Sequence, residues 1–351
     1  MAARIAGAHG GVVERRRSSV GMLTHRRTFV RKLAGVALAM PLGAVTAQPA
    51  TKVHRIGFLG NSTAALEANL VGPFREGLRD LGYVDGRNLV IEYRWAEGDY
   101  KRFPKCIAEL VALGVEMIVT AGTPAAQAVQ RIAPSMPLVM VAVGDPVGTG
   151  LVASLAHPGG KSTGLTSIAP DLEGKRLELL ARLVPGLSHV AVIWNPDNAF
   201  HAGSEREVQA ASHVLHFDVL SLSVRTAADF DKAFDALAAA RPGALIVLAD
   251  RVYLHNRARV VDFVARQRLP AVYPYREFVD AGGLMSFGPD YAEMHRRAAT
   301  YVDKILQGAN PGELPIEQPT KFRLLINLRT ARAMGLAIPQ SLLMRADEVI
   351  R

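Results

Sequence analysis

The chain has 351 residues, of which 49% are hydrophobic and 21% charged, and it carries a formal net charge of +9 at pH 7. These proportions are typical of globular proteins, and the length is sufficient for two domains with separate cores. Residues 1–47 contain eight arginine or lysine residues and one glutamate, a balance of +7 that leaves only +2 for the rest of the chain. The body is nearly neutral, so we expect no nucleic-acid partner.

The first 47 residues have the three parts of a secretory signal peptide. Residues 25–32, HRRTFVRK, resemble the twin-arginine export motif, residues 33–45 are apolar, and residues 45–47, VTA, offer a cleavage site. The apolar stretch is shorter than the roughly 20 residues that a membrane anchor needs. We therefore expect a twin-arginine-type signal peptide that is cleaved near Ala47, and a periplasmic mature protein. The alternative is a basic tail on a cytoplasmic protein, and Met22 is a second candidate for the translation start.

The number of cysteines limits which cross-links and metal sites the chain can form. Cys106 is the only cysteine in the chain, which excludes an internal disulfide and a cysteine-based metal cluster. Its apolar neighbours indicate a buried thiol on a helix. We predict neither a metal site nor a cofactor.

After the leader, the hydrophobic pattern alternates between strands and helices. Leu70, Phe74 and Leu78 recur on one helical face, together with Leu81, and Gly82 stands where that helix would end. Such alternation predicts a doubly wound α/β lobe with a parallel sheet. The remaining expected elements of this first half are strand 53–60, strand 89–95, helix 99–113, strand 117–119 with the helix that follows it, and strand 137–143.

Residues 116–133, EMIVTAGTPAAQAVQRIA, contain a turn that could form part of a ligand site. A short apolar strand is followed by Gly122, which permits a sharp turn. Thr123 is the expected N-cap of the next helix, with Pro124 at the first helical position. Ligands bind at the carboxyl ends of parallel strands, where helix N-termini offer free N–H groups. The turn is therefore either one wall of a small-molecule site or an ordinary βα connection.

The pattern begins again after residue 171 and predicts a second α/β lobe of similar size, in which residues 226–229, TAAD, form a helix capping box. An amphipathic helix over residues 291–306 is expected to return to the first lobe. Strand-borne connections between two lobes imply a hinge and a ligand cleft. The predicted division is residues 52–165 with 286–312 for the first lobe, and residues 166–285 with 313–351 for the second.

Several stretches resemble catalytic or nucleotide-binding motifs but lack the spacing or the neighbouring secondary structure that those motifs require. Residues 144–152, GDPVGTGLV, follow the fourth strand and do not form a G-x-G-x-x-G turn after the first. Residues 160–163, GKST, resemble half of a P-loop, but Leu155 occupies the first glycine position and a strand-like sequence follows. We expect no G-x-S-x-G hydrolase elbow, no H-E-x-x-H motif and no adjacent nucleophile and base. We expect a binding protein and not an enzyme, with an exported hydrolase or transferase as the alternative.

Five stretches of the body resemble substrate-binding proteins of ABC importers. These are VTAGTPAAQA, VGDPVGTGLVASLAHPGG, GKRLELLARLVPG, YREFVDAGGLMSFGPD and LPIEQPTKFRLLINLRTARAMGL. The similar branch has the type I periplasmic-binding fold and includes tryptophan and phenylalanine binders, and the resemblance extends from Val53 to Arg351. It implies a monomeric exported receptor that closes around a small solute, with an aromatic or branched amino acid as the first expectation. The solute would pass to an inner-membrane ABC permease driven by a cytoplasmic ATPase.

The resemblance implies a site in the cleft between the lobes, to which both lobes contribute. A ligand carboxylate would suit the helix start at Gly122, and an ammonium group would suit Asp250 in the second lobe. The candidate ligand-binding residues are Asn61, Ser62, Gly122, Thr123, Asp145, Asp250, Tyr275 and Glu277.

Five of these candidates also have a purely structural interpretation. Asn61 and Ser62 could cap the first helix, Asp145 could form a turn, Glu277 could be a solvated helix residue, and Tyr275 could be core packing. A receptor that feeds a sensor kinase remains an alternative function. A repressor is disfavoured because a secretion signal stands where its helix-turn-helix would be.

Overall fold

The computed structural model describes residues 52–168 and 172–351, which form two sheets covered by helices. The predicted signal peptide lies outside the described residues. Among the helices of the described part, none is long and apolar enough to cross a membrane.

The first half of the chain builds a five-stranded parallel sheet. Its elements are β1 (His54–Gly60), α1 (Ala68–Asp80), β2 (Leu89–Trp95), α2 (Phe103–Ala112), β3 (Ile118–Ala121), α3 (Thr123–Ile132), β4 (Leu138–Val143) and β5 (Ser162–Thr166). The strand order is β2-β1-β3-β4-β5. β3, β4 and β5 are buried along their whole length, as expected when helices cover both faces of a parallel sheet.

The second half builds a seven-stranded sheet in the order β12-β11-β10-β9-β8-β6-β7. Only the β10–β11 pair is antiparallel; the other pairs are parallel. The elements are α4 (Leu172–Leu183), β6 (His189–Trp194), α5 (His201–Leu215), β7 (Asp218–Ser223), α6 (Phe230–Ala240), β8 (Ala244–Val247), α7 (Arg251–His255), α8 (Arg257–Arg266), β9 (Ala271–Tyr273), α9 (Arg276–Asp280), β10 (Met285–Pro289), α10 (Tyr291–Leu306), β11 (Phe322–Asn327), α11 (Leu328–Met334), α12 (Gln340–Leu343) and β12 (Glu348–Ile350).

Helix α10 packs on the first sheet although it follows a strand of the second. It runs against α1 so closely that a Cβ added to Gly77 would lie 2.9 Å from the Cβ of Ala299. We call the first sheet with its helices and α10 the first lobe, and the second sheet with its helices the second lobe. Since β10 pairs within the second sheet, the chain crosses to the first lobe after Pro289 and not at residue 286. It crosses back before β11, so three connections join the lobes.

The predicted α/β class with two doubly wound lobes is confirmed. On α1, Leu70, Phe74 and Leu78 are buried as their spacing predicts, whereas Leu81 follows the helix and is exposed. The capping box between Thr226 and Asp229 is also present. These local features follow from sequence pattern because each depends on residues within one or two turns.

Candidate ligand-binding site

Strand ends from both lobes meet at the cleft. In the first lobe, the chain leaves β1 into Asn61 and leaves β3 into Gly122; in the second, it leaves β8 toward Asp250 and β9 toward Tyr275. Carboxyl ends of parallel strands share one edge of a sheet, which is where open α/β sheets bind ligands. The two edges face each other, so side chains from four strand ends converge.

A buried carboxylate organises the loop after β1. Glu67 Oε1 accepts hydrogen bonds from the backbone N–H groups of Asn61, at 2.9 Å, and Ser62, at 2.6 Å. Asn61 Nδ2 donates to the carbonyl of Ala121 at 2.9 Å, which leaves Asn61 Oδ1 buried with no hydrogen-bond partner in the described structure. Burial raises the pKa of Glu67, and the positive charge of Arg251 opposes that shift.

The start of α3 differs from the sequence-based prediction. Gly122, with φ of 83°, is the N-cap, so Thr123 and Pro124 occupy the first two helical positions. The Thr123 hydroxyl does not cap its own helix but accepts a hydrogen bond from the backbone N–H of Gly144 at 3.0 Å. This bond ties the loop after β4 to the loop after β3, and it leaves the helix start free of a side-chain cap.

Arg251 is a buried residue of the cleft that the sequence analysis does not predict. It is 3% exposed, and its Cζ lies 5.1 Å from the ring centroid of Tyr275 and 5.9 Å from that of Tyr291. Neither Nε nor Nη2 has a hydrogen-bond partner among the described residues. Its side chain reaches the first lobe, since a Cβ added to Gly122 would lie 3.5 Å from Arg251 Cγ. A buried guanidinium with unpaired N–H groups can donate hydrogen bonds to an acceptor that the described residues do not supply.

Both carboxylate oxygens of Asp250 accept hydrogen bonds from other residues of the protein. Oδ1 accepts from the backbone N–H of Val252 at 2.9 Å, which caps α7, and from the Tyr100 hydroxyl at 2.8 Å. Oδ2 accepts from Asn198 Nδ2 at 3.0 Å. Burial and the Asp250 carboxylate raise the pKa of Tyr100, so that side chain remains a hydroxyl donor. Asp250 therefore links the lobes and orients the helix that carries Arg251.

Further contacts close the cleft. Ser62 Oγ lies 2.7 Å from His255 Nδ1, and Asn69 Nδ2 donates to Glu277 Oε1 at 2.6 Å. Burial lowers the pKa of His255, which favours its neutral form. These bonds join side chains of opposite lobes, so the structure is a closed conformation of the cleft.

The loop after β4 also packs tightly against the second lobe. A Cβ added to Gly144 would lie 2.1 Å from Phe200 Cγ, too close for any side chain at this position in the closed conformation. The neighbouring Asp145 accepts from the backbone N–H groups of Val147 and Gly148, so it forms a turn. It borders a separate cavity of about 410 Å³ and is not brought together with Arg251.

The aromatic candidates divide between the cleft and the core. Tyr275 is 4% exposed and packs against Tyr291, with ring centroids 4.7 Å apart. Tyr273 instead stacks on Phe278 inside the second lobe, at 4.7 Å. Glu277 borders a cavity of about 250 Å³ that also contacts Tyr291. Tyr275 and Tyr291 therefore form an aromatic wall beside Arg251.

His295, on α10, completes the buried polar set. Its Nδ1 lies 2.7 Å from the carbonyl oxygen of Tyr291, and its Nε2 has no hydrogen-bond partner within the described residues. Burial and the positive charge of Arg251 lower the pKa of His295 to about 3. The imidazole is therefore neutral at physiological pH.

The described residues give little support to metal or nucleophilic chemistry. Across residues 52–168 and 172–351, no three His, Cys, Asp or Glu side chains are grouped to hold a metal ion. The expectation that the chain has no G-x-S-x-G sequence is wrong, because residues 160–164, GKSTG, match that spacing. However, Ser162 is the first residue of β5, it is 3% exposed, and its Oγ accepts from Gln130 Nε2 at 2.8 Å. It therefore lacks the exposed turn between strand and helix that a hydrolase nucleophile requires.

Comparisons with known proteins place this chain among solute-binding proteins. A sequence model of the family described as ABC transporter substrate binding protein matches residues 62–350. A curated relative from Clostridioides difficile, named tyrosine-binding protein, is 26% identical over 263 residues, which are 75% of this chain and 75% of the relative.

Two solved structures show the same fold. A conserved domain protein from Vibrio cholerae has a TM-score of 0.79 and 26% identity, covering 85% of this chain and 100% of its own. The ABC domain in complex with L-Trp from Streptococcus pneumoniae has a TM-score of 0.79 and 24% identity, with the same coverage. Since the family's sequence model spans most of its length, the chain belongs to the family of ABC transporter substrate binding proteins.

Proposed function

We propose that this protein is the exported receptor of an ABC importer and that it binds an α-amino acid, aromatic or branched, in the closed cleft. The observation that carries the proposal is the buried Arg251, whose Nε and Nη2 have no partner in the described part of the chain. Guanidinium groups bind carboxylates through parallel N–H···O bonds. A ligand carboxylate on Arg251 would supply those bonds.

An amino acid also explains the unpartnered acceptors. Asn61 Oδ1 and His295 Nε2 are buried acceptors in need of donors, whereas the free nitrogens of Arg251 are donors in need of acceptors. A ligand that carries both an anionic acceptor and a cationic donor meets both requirements. The zwitterionic head of an α-amino acid is such a group.

An aromatic side chain on the ligand is favoured by the cleft wall and by the relatives. Tyr275 and Tyr291 stand next to Arg251, and aromatic rings pack well against one another. The curated relative is named for tyrosine and the pneumococcal structure contains L-Trp. We therefore place tyrosine, tryptophan and phenylalanine first in the ligand panel, with leucine as the branched representative.

Closure couples binding to transport in this proposal. Asn61 belongs to the first lobe and Arg251 to the second, so a ligand that contacts both stabilises the closed conformation. The permease would then recognise the closed form and receive the solute. The receptor acts as a monomer without catalytic chemistry, and its leader directs export with cleavage before Gln48.

The test is a binding titration on protein freed of any trapped solute. The chain is unfolded in denaturant, refolded, and titrated with each of the four amino acids, and N-terminal sequencing of the exported form checks cleavage. Saturable binding of one amino acid supports the proposal. Absence of binding by every amino acid in the panel, in a refolded sample with a cooperative unfolding transition, overturns it.

A further inference from the structure

The ring of His295 has a fixed proton arrangement. A backbone carbonyl only accepts hydrogen bonds, so Nδ1, 2.7 Å from the carbonyl of Tyr291, must carry the ring proton. Nε2 is then an unprotonated acceptor, and the side chain is 1% exposed. Leaving such a buried group unpaired costs about 1–3 kcal/mol. This lone pair therefore requires an explanation other than packing.

The position of His295 relates that lone pair to the ligand site. His295 lies one helical turn after Tyr291 and shares its face of α10. The ring of Tyr291 lies under the Arg251 guanidinium, at 5.9 Å. α10 belongs to the first lobe and Arg251 to the second, and the charge of Arg251 acts on the buried His295 ring, so the two side chains lie near each other across the junction of the lobes. Asn61 Oδ1 is a second unpartnered acceptor of the first lobe.

We propose that His295 Nε2 accepts a hydrogen bond from the amino group of the bound ligand, which makes His295 a specificity-determining residue for α-amino acids. This inference rests on the proposed function. In an α-amino acid the ammonium and carboxylate groups are attached to one carbon, so a ligand held by Arg251 presents its ammonium group nearby. The buried carboxylate of Glu67, which interacts electrostatically with Arg251 and Glu277, adds negative potential to the same region.

The experiment compares each amino acid with its deaminated analogue. The pairs are L-tyrosine with 3-(4-hydroxyphenyl)propionate, L-tryptophan with indole-3-propionate, L-phenylalanine with 3-phenylpropionate, and L-leucine with 4-methylpentanoate. Dissociation constants are measured on the refolded full chain, as wild type, His295→Leu and His295→Gln. Leucine removes the acceptor, whereas glutamine retains a polar acceptor of similar reach and serves as the matched control.

For the amino acid that binds the wild type, we expect His295→Leu to weaken binding by roughly 10- to 100-fold, the range for a hydrogen bond to a charged group. Binding of the deaminated analogue should change by less than about threefold, and His295→Gln should recover most of the amino-acid affinity. Equal losses for both ligands would show a structural role and overturn the inference. Unchanged affinity for the amino acid would also overturn it.

A second measurement covers the case in which His295→Leu does not fold. In the wild type, the ¹⁵N resonance of His295 Nε2 should move upfield on saturation with the amino acid, and less so with the deaminated analogue. The same shift with both ligands, or no shift, contradicts the inference. A wild type that binds no amino acid refutes the proposed function itself, whereas binding without His295 dependence refutes only this inference.

Discussion

Replacing Arg251 by methionine should separate the stability cost of the buried guanidinium from its use in binding. In the described structure, Arg251 is 3% exposed and two of its nitrogens have no hydrogen-bond partner. Burying a charged group costs free energy unless the group is paired and fully hydrogen-bonded, and methionine carries neither a charge nor N–H groups. We therefore expect Arg251→Met to raise the free energy of unfolding of the ligand-free protein.

The same substitution should nearly abolish binding. The ligand carboxylate would lose two charge-assisted hydrogen bonds, each worth about 1.5–3 kcal/mol. Their sum, about 3–6 kcal/mol, corresponds to a loss of affinity between roughly 100-fold and 20,000-fold. Urea denaturation of the refolded protein measures the stability, and isothermal titration with the amino acid measures the affinity.

Arg176 provides the matched control. It is also buried, but its Nη1 donates to Glu173 Oε1 at 2.6 Å and its Nε donates to the carbonyl of Phe287 at 2.9 Å. Arg176→Met leaves the Glu173 carboxylate uncompensated, which should cost about 3–5 kcal/mol of stability with little change in affinity. The reasoning is refuted if Arg251→Met loses stability as Arg176→Met does, or if it binds the amino acid as tightly as the wild type.

Three other substitutions test the cleft. Gly144→Ala should hinder closure, because the added Cβ would lie 2.1 Å from Phe200 Cγ in the other lobe. Gly72→Ala on α1 is the control, since its Cβ would meet nothing within 4 Å. Small-angle X-ray scattering should show an expanded molecule for Gly144→Ala only. Asp250→Ala should weaken amino-acid binding at least tenfold, about 1.4 kcal/mol, because it removes the cap of α7 and the hydrogen bond from Tyr100. An affinity within about twofold of the wild type would show that Asp250 does not support the site. Burial raises the pKa of Glu67 above its ordinary 4.5. The folded chain therefore holds the carboxyl proton of Glu67 more tightly than the unfolded chain, and the free energy of unfolding falls as the pH rises from 4.5 through the raised pKa. Glu67→Gln should therefore gain stability over the wild type as pH rises from about 4.5 toward neutrality, and a pH-independent difference in urea denaturation would contradict this.

The sequence predicts the fold well because its determinants are local. Alternating apolar runs, capping residues and turn glycines each depend on a few neighbouring positions, and together they imply two lobes of the observed class. The rule that ligands bind beyond the carboxyl ends of parallel strands also directs attention to Asn61, Gly122 and Asp250, which do lie at strand ends beside the cleft.

The parts that sequence could not predict depend on contacts between distant segments. Asp250 and Arg251 are adjacent, and the resemblance to substrate-binding proteins implies that the carboxylate contacts the ligand. In the structure the carboxylate caps α7 and binds Tyr100, 150 residues away in the chain, which leaves Arg251 as the unpaired charge. Thr123 likewise bonds to Gly144 in another loop. No sequence pattern distinguishes His295, because the lack of a hydrogen-bond partner at its Nε2 depends on how α10 packs.

The central claim is that the closed cleft holds an amino acid through its carboxylate on Arg251. The most direct measurement is a thermal-shift comparison of the refolded chain with L-tyrosine, L-tryptophan, L-phenylalanine and L-leucine against the corresponding amines without a carboxylate, tyramine, tryptamine, phenethylamine and isopentylamine. A ligand at one hundred times its Kd adds about 2.7 kcal/mol of stability. We predict a shift of that size for at least one amino acid and none for its amine. Equal shifts for the amino acid and its amine, or no shift for any amino acid, would contradict the account.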